Sequence, residues 1–414
     1  MERKHKKSHG SCAKTMNIEY YLYKLKEYPL HIVIRIVLRK AYLTLRNKLR
    51  SMQAGISSNF ISDDNLLKSL KDSYNSIEHI LKKERHVFFI QSSEKNKMIE
   101  ILKINYPTAV KETIFDAERI CKHIFNLLGS GDICLGEKLD WHTDFKTNWS
   151  WPLLFYKKLD CRRSDNPSDV KVPWELSRCQ HFITLGKAYW YTGDEKYAKE
   201  FVSEIKEWMD SNPPMYGVNW VCTMDVAIRV INWIWGYYFF KDSPVLTRDF
   251  MMNFLKFVLV HGRHIMNNLE KSEKSGNHYL SNLSGLICIG VAFPEFKESK
   301  KWRDFGFNEL IKEMNKQVYI DGISYEGSIY YHQLVTELFL FSTLLCLNNS
   351  SLFISNHNCQ ISNYEFFPFP KWYIQRLEKM IEFIMYYSKP DKSAPRIGDN
   401  DDGRLYILCN YSDY

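Results

Sequence analysis

The stretch of sequence best suited to chemistry runs from Ser275 to Leu286, Ser-Gly-Asn-His-Tyr-Leu-Ser-Asn-Leu-Ser-Gly-Leu. Ser-Gly breaks regular structure, and the apolar run that follows predicts a buried helix from about Leu280. Asn277 and His278 therefore stand side by side at the mouth of a helix. Asparagine offers a neutral amide donor, and histidine can donate, accept or carry charge near neutral pH. On the pair alone, a structural role is the commoner one, with Asn277 capping the helix and His278 hydrogen-bonded in the core.

A second polar group follows the turn Asp321-Gly322. Its members fall at the start of the next predicted helix and are Glu326, Ser328, Tyr331 and His332. A tyrosine beside a histidine or an arginine can act as a general acid or base if its pKa is lowered. Tyrosines near loops more often serve packing, so this group indicates a site only in combination with other residues.

The elements that would position these side chains are helices. Helical spacing of apolar residues is present over 174–191, 196–209, 220–240, 247–268, 280–292, 301–318, 331–347 and 371–388. Strand signals are few, and the connections are short and polar. The pattern predicts an all-α fold of stacked helical hairpins, without an exact sequence repeat.

The helix predicted over 220–240 is apolar nearly all round and carries one polar stripe, formed by Asp225, Arg229 and Asn232. Such a helix is buried, and its stripe faces a partner or a cavity. The alternative is an Asp225–Arg229 ion pair at i, i+4 that only holds the helix in place. The segment 140–152 is aromatic, polar and irregular, which predicts a long surface loop of the kind that often carries binding residues.

The 414 residues carry a net charge of +8, and much of the excess lies near the N-terminus. We expect residues 1–60 to form a basic N-terminal segment, disordered at first and then helical, and residues 61–414 to form the helical domain. Nucleic acid or an anionic membrane surface can bind such a segment, although a solvated tail is the commoner explanation. The charge alone selects no partner.

Ten cysteines are scattered along the chain, and none forms a CxxC pair or stands at metal-ligand spacing with a histidine. We expect reduced thiols, no structural zinc and no cofactor. No secretion signal is recognised, and the most apolar run, 221–240, is interrupted by charged residues. A cytoplasmic or membrane-peripheral location is the default expectation, and no oligomeric state is predicted.

Six blocks of the sequence, in order, resemble the heparinase II/III family of polysaccharide lyases and the alginate lyases that share its fold. The blocks are Val172–Arg178; Asn212-Pro213 with Gly217–Trp220; Met224–Arg229 with Ile231–Trp233; Gly276–His278; Asp321-Gly322 with Glu326, Ser328 and Tyr331-His332; and Arg396–Arg404. The likeness covers about residues 130–410. The Met-Glu of the family is Met224-Asp225 here.

The resemblance implies an incomplete (α/α) toroid whose cleft binds an acidic polysaccharide, not nucleic acid, and breaks it by β-elimination at a uronic acid. Asn277 and His278 would neutralise the sugar carboxylate, which makes the C5 proton acidic, and Tyr331 would be the base or acid that moves it. The resemblance also suggests cleft-lining, substrate-binding residues: His142, Asn219, Trp220, Arg229, Glu326, His332 and Arg404.

Members of the family continue into a β-sandwich domain that supplies a further histidine, and we expect that domain to be absent here because the sequence ends at Tyr414. Three functions stay open. The first is a lyase. The second is a non-catalytic glycan-binding or polysaccharide-biosynthesis accessory protein, or an inactive truncated lyase. The third is a hydrolase that uses two carboxylates among Asp399, Asp401 and Asp402.

Overall fold

The computed structural model describes residues 29–56, 61–73, 88–90, 93–161, 166–353, 360–362, 365–391, 393–399 and 403–408. The chain divides into two compact units, residues 1–58 and 59–414. The first unit contains one described helix, α1 (Leu30–Ile56). Residues 1–28, where the sequence predicts the start of the basic segment, lie outside the described part.

The second unit is mostly helical, as the sequence predicts. Its first helices are α2 (Asp63–Lys68), α3 (Lys95–Asn105), α4 (Pro107–Ile120), α5 (Lys171–Ser177), α6 (Phe182–Thr192) and α7 (Lys196–Ser211). They are followed by α8 (Thr223–Phe240), α9 (Arg248–Asn267), α10 (Asn277–Ala292), α11 (Ser299–Gln317), α12 (Ile329–Asn348) and α13 (Lys371–Tyr387). Short antiparallel ladders join β1 (Ile124–Phe125) to β2 (Ile133–Cys134), β3 (Thr143–Asp144) to β4 (Trp149–Ser150), and β5 (Gln360–Ser362) to β6 (Glu365–Phe367).

The helices of the second unit form two layers. Helices α4, α6, α8, α10 and α12 pack side by side in chain order and make the inner layer. Helices α7, α9, α11 and α13 each follow an inner helix in the chain and pack against it from outside. This alternation is the incomplete (α/α) toroid of helical hairpins that the sequence predicts.

The inner helices are buried on nearly every side. In α10 every residue except His278 is buried, and in α8 every residue except Tyr238. Close packing between these two helices depends on small residues, because a Cβ atom at Gly285 would lie only 2.9 Å from the Cβ atom of Ala227. The exposed His278 is therefore a clear exception, and it marks the end of α10 where polar side chains reach solvent.

The helix predicted over 174–191 is two helices, α5 and α6, separated by residues 178–181. Cys179 has a φ of 54°, in the left-handed region, which interrupts the helical hydrogen-bond ladder. Helix α10 also begins three residues before the predicted start, and Gly276 stands at its N-cap. The prediction that Asn277 caps this helix is therefore wrong.

The segment 140–152 is less exposed than its composition indicates. It contains the β3–β4 hairpin, and the side chain of Trp141 is fully buried while Trp149 is 39% exposed.

Within the described ranges, seven cysteines are free thiols, at positions 121, 134, 161, 179, 222, 288 and 346. None of the helices described is both long and apolar enough to cross a bilayer.

Candidate active site

A cleft opens where the N-terminal ends of α8, α10 and α12 meet. Its lining residues are Leu128, Lys171, Trp174, Glu175, Arg178, Cys222, Met224, Asp225, Asn277, His278, Tyr331, Leu334 and Gly403. The fold thus brings Asn277, His278 and Tyr331 together on one cleft. They come from two different helices, α10 and α12, whose first turns lie at the same end of the inner layer.

Asn277 is held by the carboxylate of Glu326. Its side-chain amide Nδ2 donates to Glu326 Oε1 over 3.0 Å, and its backbone N–H donates to the same oxygen over 3.4 Å. A Cβ atom at Gly276 would lie 2.3 Å from this oxygen, so the glycine is what lets the carboxylate approach. The contact fixes the plane of the Asn277 amide, whose nitrogen carries a second N–H.

His278 is coupled to a second carboxylate. Its Nδ1 lies 3.0 Å from Glu270 Oε1, and since a carboxylate only accepts, Nδ1 carries the proton. Desolvation of the ring works against the charged form, but the Glu270 carboxylate outweighs it and the pKa of His278 is raised. The side chain of His278 is 52% exposed, so the imidazole ring faces solvent.

Sequence reasoning missed Glu270, which organises this part of the cleft. Its carboxylate also accepts the backbone N–H of Met224 over 2.8 Å and the Nδ2–H of Asn282 over 3.2 Å. Glu270 thereby joins the start of α8 to α10. The residue stands in a polar loop just after α9, and no motif or spacing in that loop distinguishes it from Glu273.

Arg178 supplies a positive charge in the lining of the cleft and is balanced by two acids that also line it. Its Nη1 lies 2.5 Å from Glu175 Oε2, and its Nε donates to Asp225 Oδ1 over 2.7 Å. Burial opposes the charge of Arg178, but the two carboxylates prevail and the pKa of the guanidinium is raised. Asp225 therefore pairs with Arg178, and the i, i+4 pair with Arg229 considered from the sequence is not formed.

Tyr331 lies in the first turn of α12 and is partly buried. Ser328 is the N-cap of that helix, and its Oγ accepts the backbone N–H of Tyr331 over 3.2 Å. The Ser328 hydroxyl in turn donates to the backbone oxygen of Asp399 over 2.6 Å. The C-terminal block of the sequence therefore helps to position the start of α12. Asp401 and Asp402, considered above as hydrolytic carboxylates, lie outside the described residues.

Arg229 lies in the core of the toroid instead of on the cleft. Its Nε donates to His261 Nε2 over 3.0 Å, Nη1 to Ser177 Oγ over 3.0 Å, and Nη2 to the backbone oxygen of Asn219 over 3.1 Å. Burial lowers the pKa of Arg229 to about 9. Burial and the neighbouring guanidinium hold the pKa of His261 well below its usual range, so the neutral ring accepts the hydrogen bond.

Asn219 and Trp220 belong to the same buried network. The Nδ2 of Asn219 donates to the backbone oxygen of Trp141 over 2.7 Å and to Asn212 Oδ1 over 2.9 Å. Trp220 is fully buried, with its ring 5.4 Å from the Arg229 guanidinium. Their contacts hold together the layers behind the cleft, and neither residue lines it.

His142 and His332 are also engaged away from the cleft. The Nε2 of His142 donates to the backbone oxygen of Ser211 over 2.9 Å. His332 is buried, and its Nε2 donates to the backbone oxygen of Met380 over 3.1 Å. These contacts tie a loop and a helix to their neighbours, which is a positioning role.

Glu326 and Arg404 stand next to residues that line the cleft. Glu326 reaches the cleft through Asn277, as described above. Arg404 follows the lining residue Gly403, and its backbone oxygen accepts Gln180 Nε2–H over 2.7 Å.

One group of donor atoms in the cleft is close enough to hold a metal ion. Single donor atoms of Cys222, Glu270 and His278 all lie within 4.8 Å of one another. Burial, together with nearby carboxylates, keeps the pKa of the Cys222 thiol well above its usual value. A metal ion bound by this thiol would therefore have to displace its proton.

The family described as Heparinase II/III N-terminus matches residues 63–414. The chain belongs to the heparinase II/III family. It is 31% identical to a heparin-sulfate lyase of Pedobacter heparinus over 237 residues, which are 56% of this chain and 33% of that protein. It is 29% identical to a heparin-sulfate lyase of Bacteroides stercoris over 300 residues, 67% of this chain and 39% of that protein.

A crystal structure of heparinase III shares the fold of this heparinase II/III member, with a TM-score of 0.51 at 20% identity over 80% of this chain and 48% of that one. The chain spans between 33% and 39% of the length of the curated lyases it matches. The match includes the whole cleft, because every lining residue falls within 63–414.

Proposed function

We propose that the cleft binds an acidic polysaccharide and breaks it by β-elimination beside a uronic acid. The observation that carries the proposal is that an amide, an imidazole with a raised pKa and a phenol line one cleft. They are Asn277, His278 and Tyr331. Relatives of the chain are named as heparin-sulfate lyases, which supports a substrate of this class.

Asn277 and His278 bind the uronate carboxylate. Glu270 raises the pKa of His278 and so favours its positively charged form, and Asn277 offers the second N–H of its amide. Both donors remove negative charge from the carboxylate, so that the carbanion formed by loss of the C5 proton is stabilised as an enolate-like species. Their positions are preset by Glu270 and Glu326, which limits reorganisation when substrate binds.

Tyr331 moves the proton. Its phenolate takes the proton from C5, the C4–O4 bond breaks with its electron pair going to O4, and a double bond forms between C4 and C5. The proton then passes to the leaving O4 oxygen, so one group serves as base and as acid. The position of Tyr331 on the first turn of α12, across the cleft from the start of α10, suits a group that meets C5 while the carboxylate is held by Asn277 and His278.

The second candidate is a non-catalytic glycan-binding protein. It is favoured by the charge balance within the cleft lining, where Arg178 is held by both Glu175 and Asp225 instead of being offered to substrate. Under this alternative the cleft recognises the polymer but does not break it. Binding without product would distinguish the two.

The test is the ultraviolet absorbance of the unsaturated uronate product, measured with heparan-type, alginate, hyaluronan-type and bacterial capsular polymers. The variants are Tyr331→Phe and, as a matched control, Tyr330→Phe. The control removes the same hydroxyl group from a neighbouring residue that is not among those lining the cleft. We expect product from the wild type and from Tyr330→Phe, and none from Tyr331→Phe. Product from all three would remove Tyr331 from the mechanism. Binding of a polymer without any product would favour the second candidate.

A further inference from the structure

A second cluster of potential ligands lies between the β1–β2 hairpin and α7, and none of its members lines the cleft. Single donor atoms of His123, Glu200 and Glu204 all lie within 4.8 Å of one another. Glu200 and Glu204 are four residues apart on α7, so their carboxylates lie on one face of the helix. His123 just precedes β1, and the cluster therefore joins two separate elements.

The ring of His123 is oriented as in a metal site. Its Nδ1 lies 2.7 Å from the backbone oxygen of Gly136, and since a carbonyl only accepts, Nδ1 carries the hydrogen. The other nitrogen, Nε2, lies 2.9 Å from Glu200 Oε1, and since a carboxylate only accepts, it carries in this ion pair a proton that a bound ion would replace. A backbone carbonyl that holds one N–H of an imidazole and turns the other nitrogen toward carboxylates is the usual support of a histidine ligand.

Glu204 supplies an independent observation. Its side chain is 1% exposed, and Oε2 accepts a hydrogen bond from His181 Nε2 over 2.7 Å. Its other oxygen, Oε1, is buried without a hydrogen-bond partner among the described residues. A buried carboxylate oxygen without a partner costs free energy, and a cation beside it would remove that cost.

We propose that His123, Glu200 and Glu204 bind one divalent transition-metal ion, with Zn²⁺ as its representative, and that His181 orients Glu204. One imidazole nitrogen and two carboxylate oxygens are ligands that Zn²⁺ accepts, with a water in the fourth position. The ion is structural: it ties the β1–β2 hairpin to α7. The alternative is a pair of ion pairs, His123–Glu200 and His181–Glu204, that needs no metal.

The test is calorimetric titration of the full chain with Zn²⁺ after treatment with a chelator. The variants are Glu200→Gln and, as the control on the same helix, Glu207→Gln. We expect one Zn²⁺ per chain, at least ~10-fold weaker binding in Glu200→Gln, and unchanged binding in Glu207→Gln. Stoichiometric Zn²⁺ should also raise the Tm of the wild type, and the chelator should reverse the rise.

Two results would overturn the metal site. One is the absence of stoichiometric Zn²⁺ binding and of a Tm shift in the wild type, which leaves the ion pairs alone. The other is equal affinity in Glu200→Gln and Glu207→Gln, which places the ion elsewhere. Far-ultraviolet circular dichroism shows whether Glu200→Gln folds. If it does not fold, the stoichiometry of Zn²⁺ binding to the wild type and the reversible Tm shift decide whether the metal site exists.

A different observation concerns α1, which lies before the residues that match the family. Large apolar side chains recur on it at steps of four, four, four, three and four, and are between 49% and 64% exposed. They are Leu30, Ile34, Leu38, Tyr42, Leu45 and Leu49. This spacing places them on one face of the helix, which we call the apolar stripe.

Charge on α1 is of one sign. The helix contains six lysines and arginines and no aspartate or glutamate. The four arginines of α1, at positions 35, 39, 46 and 50, follow the helical repeat and lie along one border of the apolar stripe. A soluble polyanion would engage the arginines but would leave the stripe in water, whereas an anionic lipid surface would accept both.

We further propose that α1 lies on an anionic phospholipid surface with its apolar stripe among the acyl chains. The test is sedimentation of the full chain with vesicles of phosphatidylcholine alone or mixed with phosphatidylglycerol. We expect binding to the mixed vesicles and about tenfold weaker binding in Leu38→Glu. The variant Thr44→Glu, which adds the same charge at an exposed position outside the stripe, controls for electrostatics and should have a smaller effect. Absence of binding to the mixed vesicles, or equal loss in both variants, would overturn the proposal.

Discussion

At the scale of single residues, the cleft depends on two carboxylates that preset its donors. Glu326 holds Asn277 and Glu270 holds His278, so each proposed substrate-binding group has a partner within 3.0 Å. Neither pairing can be read from the sequence, because each joins residues that are far apart in the chain or separated by a loop. Asn277, His278 and Tyr331 themselves were predicted from the sequence, through the Gly-Asn-His and Tyr-His motifs, and all three line the cleft.

Replacement of Gly276 by alanine tests the first pairing. The new Cβ atom would lie 2.3 Å from Glu326 Oε1, so the carboxylate must move away from Asn277. We expect weaker binding of acidic oligosaccharide by about tenfold, with little change in Tm, because the displaced atom is the end of a flexible side chain. In a Glu326→Ala background the same replacement should have no further effect on binding. A full additional loss there would contradict the explanation.

Replacement of Glu270 by glutamine tests the second pairing. The neutral amide no longer stabilises the imidazolium, so the pKa of His278 should fall, and the charged form should be lost at lower pH than in the wild type. Binding of an acidic glycan should then weaken earlier as the pH rises. Proton NMR of the His278 ring across a pH series checks this, and an unchanged pKa in Glu270→Gln would show that Glu270 does not set the charge.

At the scale of elements, helical spacing predicted most of the inner and outer helices but not the interruption between α5 and α6. The apolar pattern continues from α5 through Cys179 into α6 because residues 175–186 are all buried, and spacing reports burial, not backbone conformation. The left-handed φ of Cys179 has no signal in the side chain. The turn matters for the site, because it follows directly on Arg178.

The buried hydrogen-bond network around Arg229 on α8 should contribute several kilocalories per mole to the free energy of unfolding. In Arg229→Met the hydrogen-bonding atoms of His261, Ser177 and Asn219 lose their donor within the core. We expect the free energy of unfolding to fall by about 3 kcal/mol or more. Urea denaturation measures it. The surface variant Arg248→Met, as a control, should change it by less than about 0.5 kcal/mol, and an equally small effect of Arg229→Met would contradict the assigned role.

Glu337 on α12 gives the stability a pH dependence. Burial raises its pKa from 4.5 to about 7, while its Oε2 accepts the backbone N–H of Leu405 over 2.9 Å. The folded state therefore holds a proton that the unfolded state releases between these values, and stability falls as the pH rises through this range. Glu337→Gln keeps an acceptor oxygen but has no proton to lose. Its free energy of unfolding should gain on that of the wild type as the pH rises, by up to roughly 3 kcal/mol, and a difference that does not change with pH would contradict this.

At the scale of the whole molecule, the toroid carries the complete lining of the cleft within the residues that match the family. The sequence blocks predicted this fold because they fall on the ends and turns of the inner layer, as with Gly276–His278 at the start of α10 and Ser328–Tyr331 at the start of α12. Other members of the six blocks, such as Arg229 and Trp220, are buried behind the cleft. Blocks identify the fold and the neighbourhood of a site, but burial decides which members of a block can touch substrate.

The central claim is that the bond is broken by elimination and not by water. The most direct measurement is mass spectrometry of the products formed by the full chain from an acidic oligosaccharide in heavy-oxygen water. We predict an unsaturated uronate at the new non-reducing end and no heavy oxygen introduced at the cleaved bond, with Tyr331→Phe giving no product. Incorporation of heavy oxygen with a saturated product would show hydrolysis, and would contradict the assignment of Asn277, His278 and Tyr331 as an eliminating site.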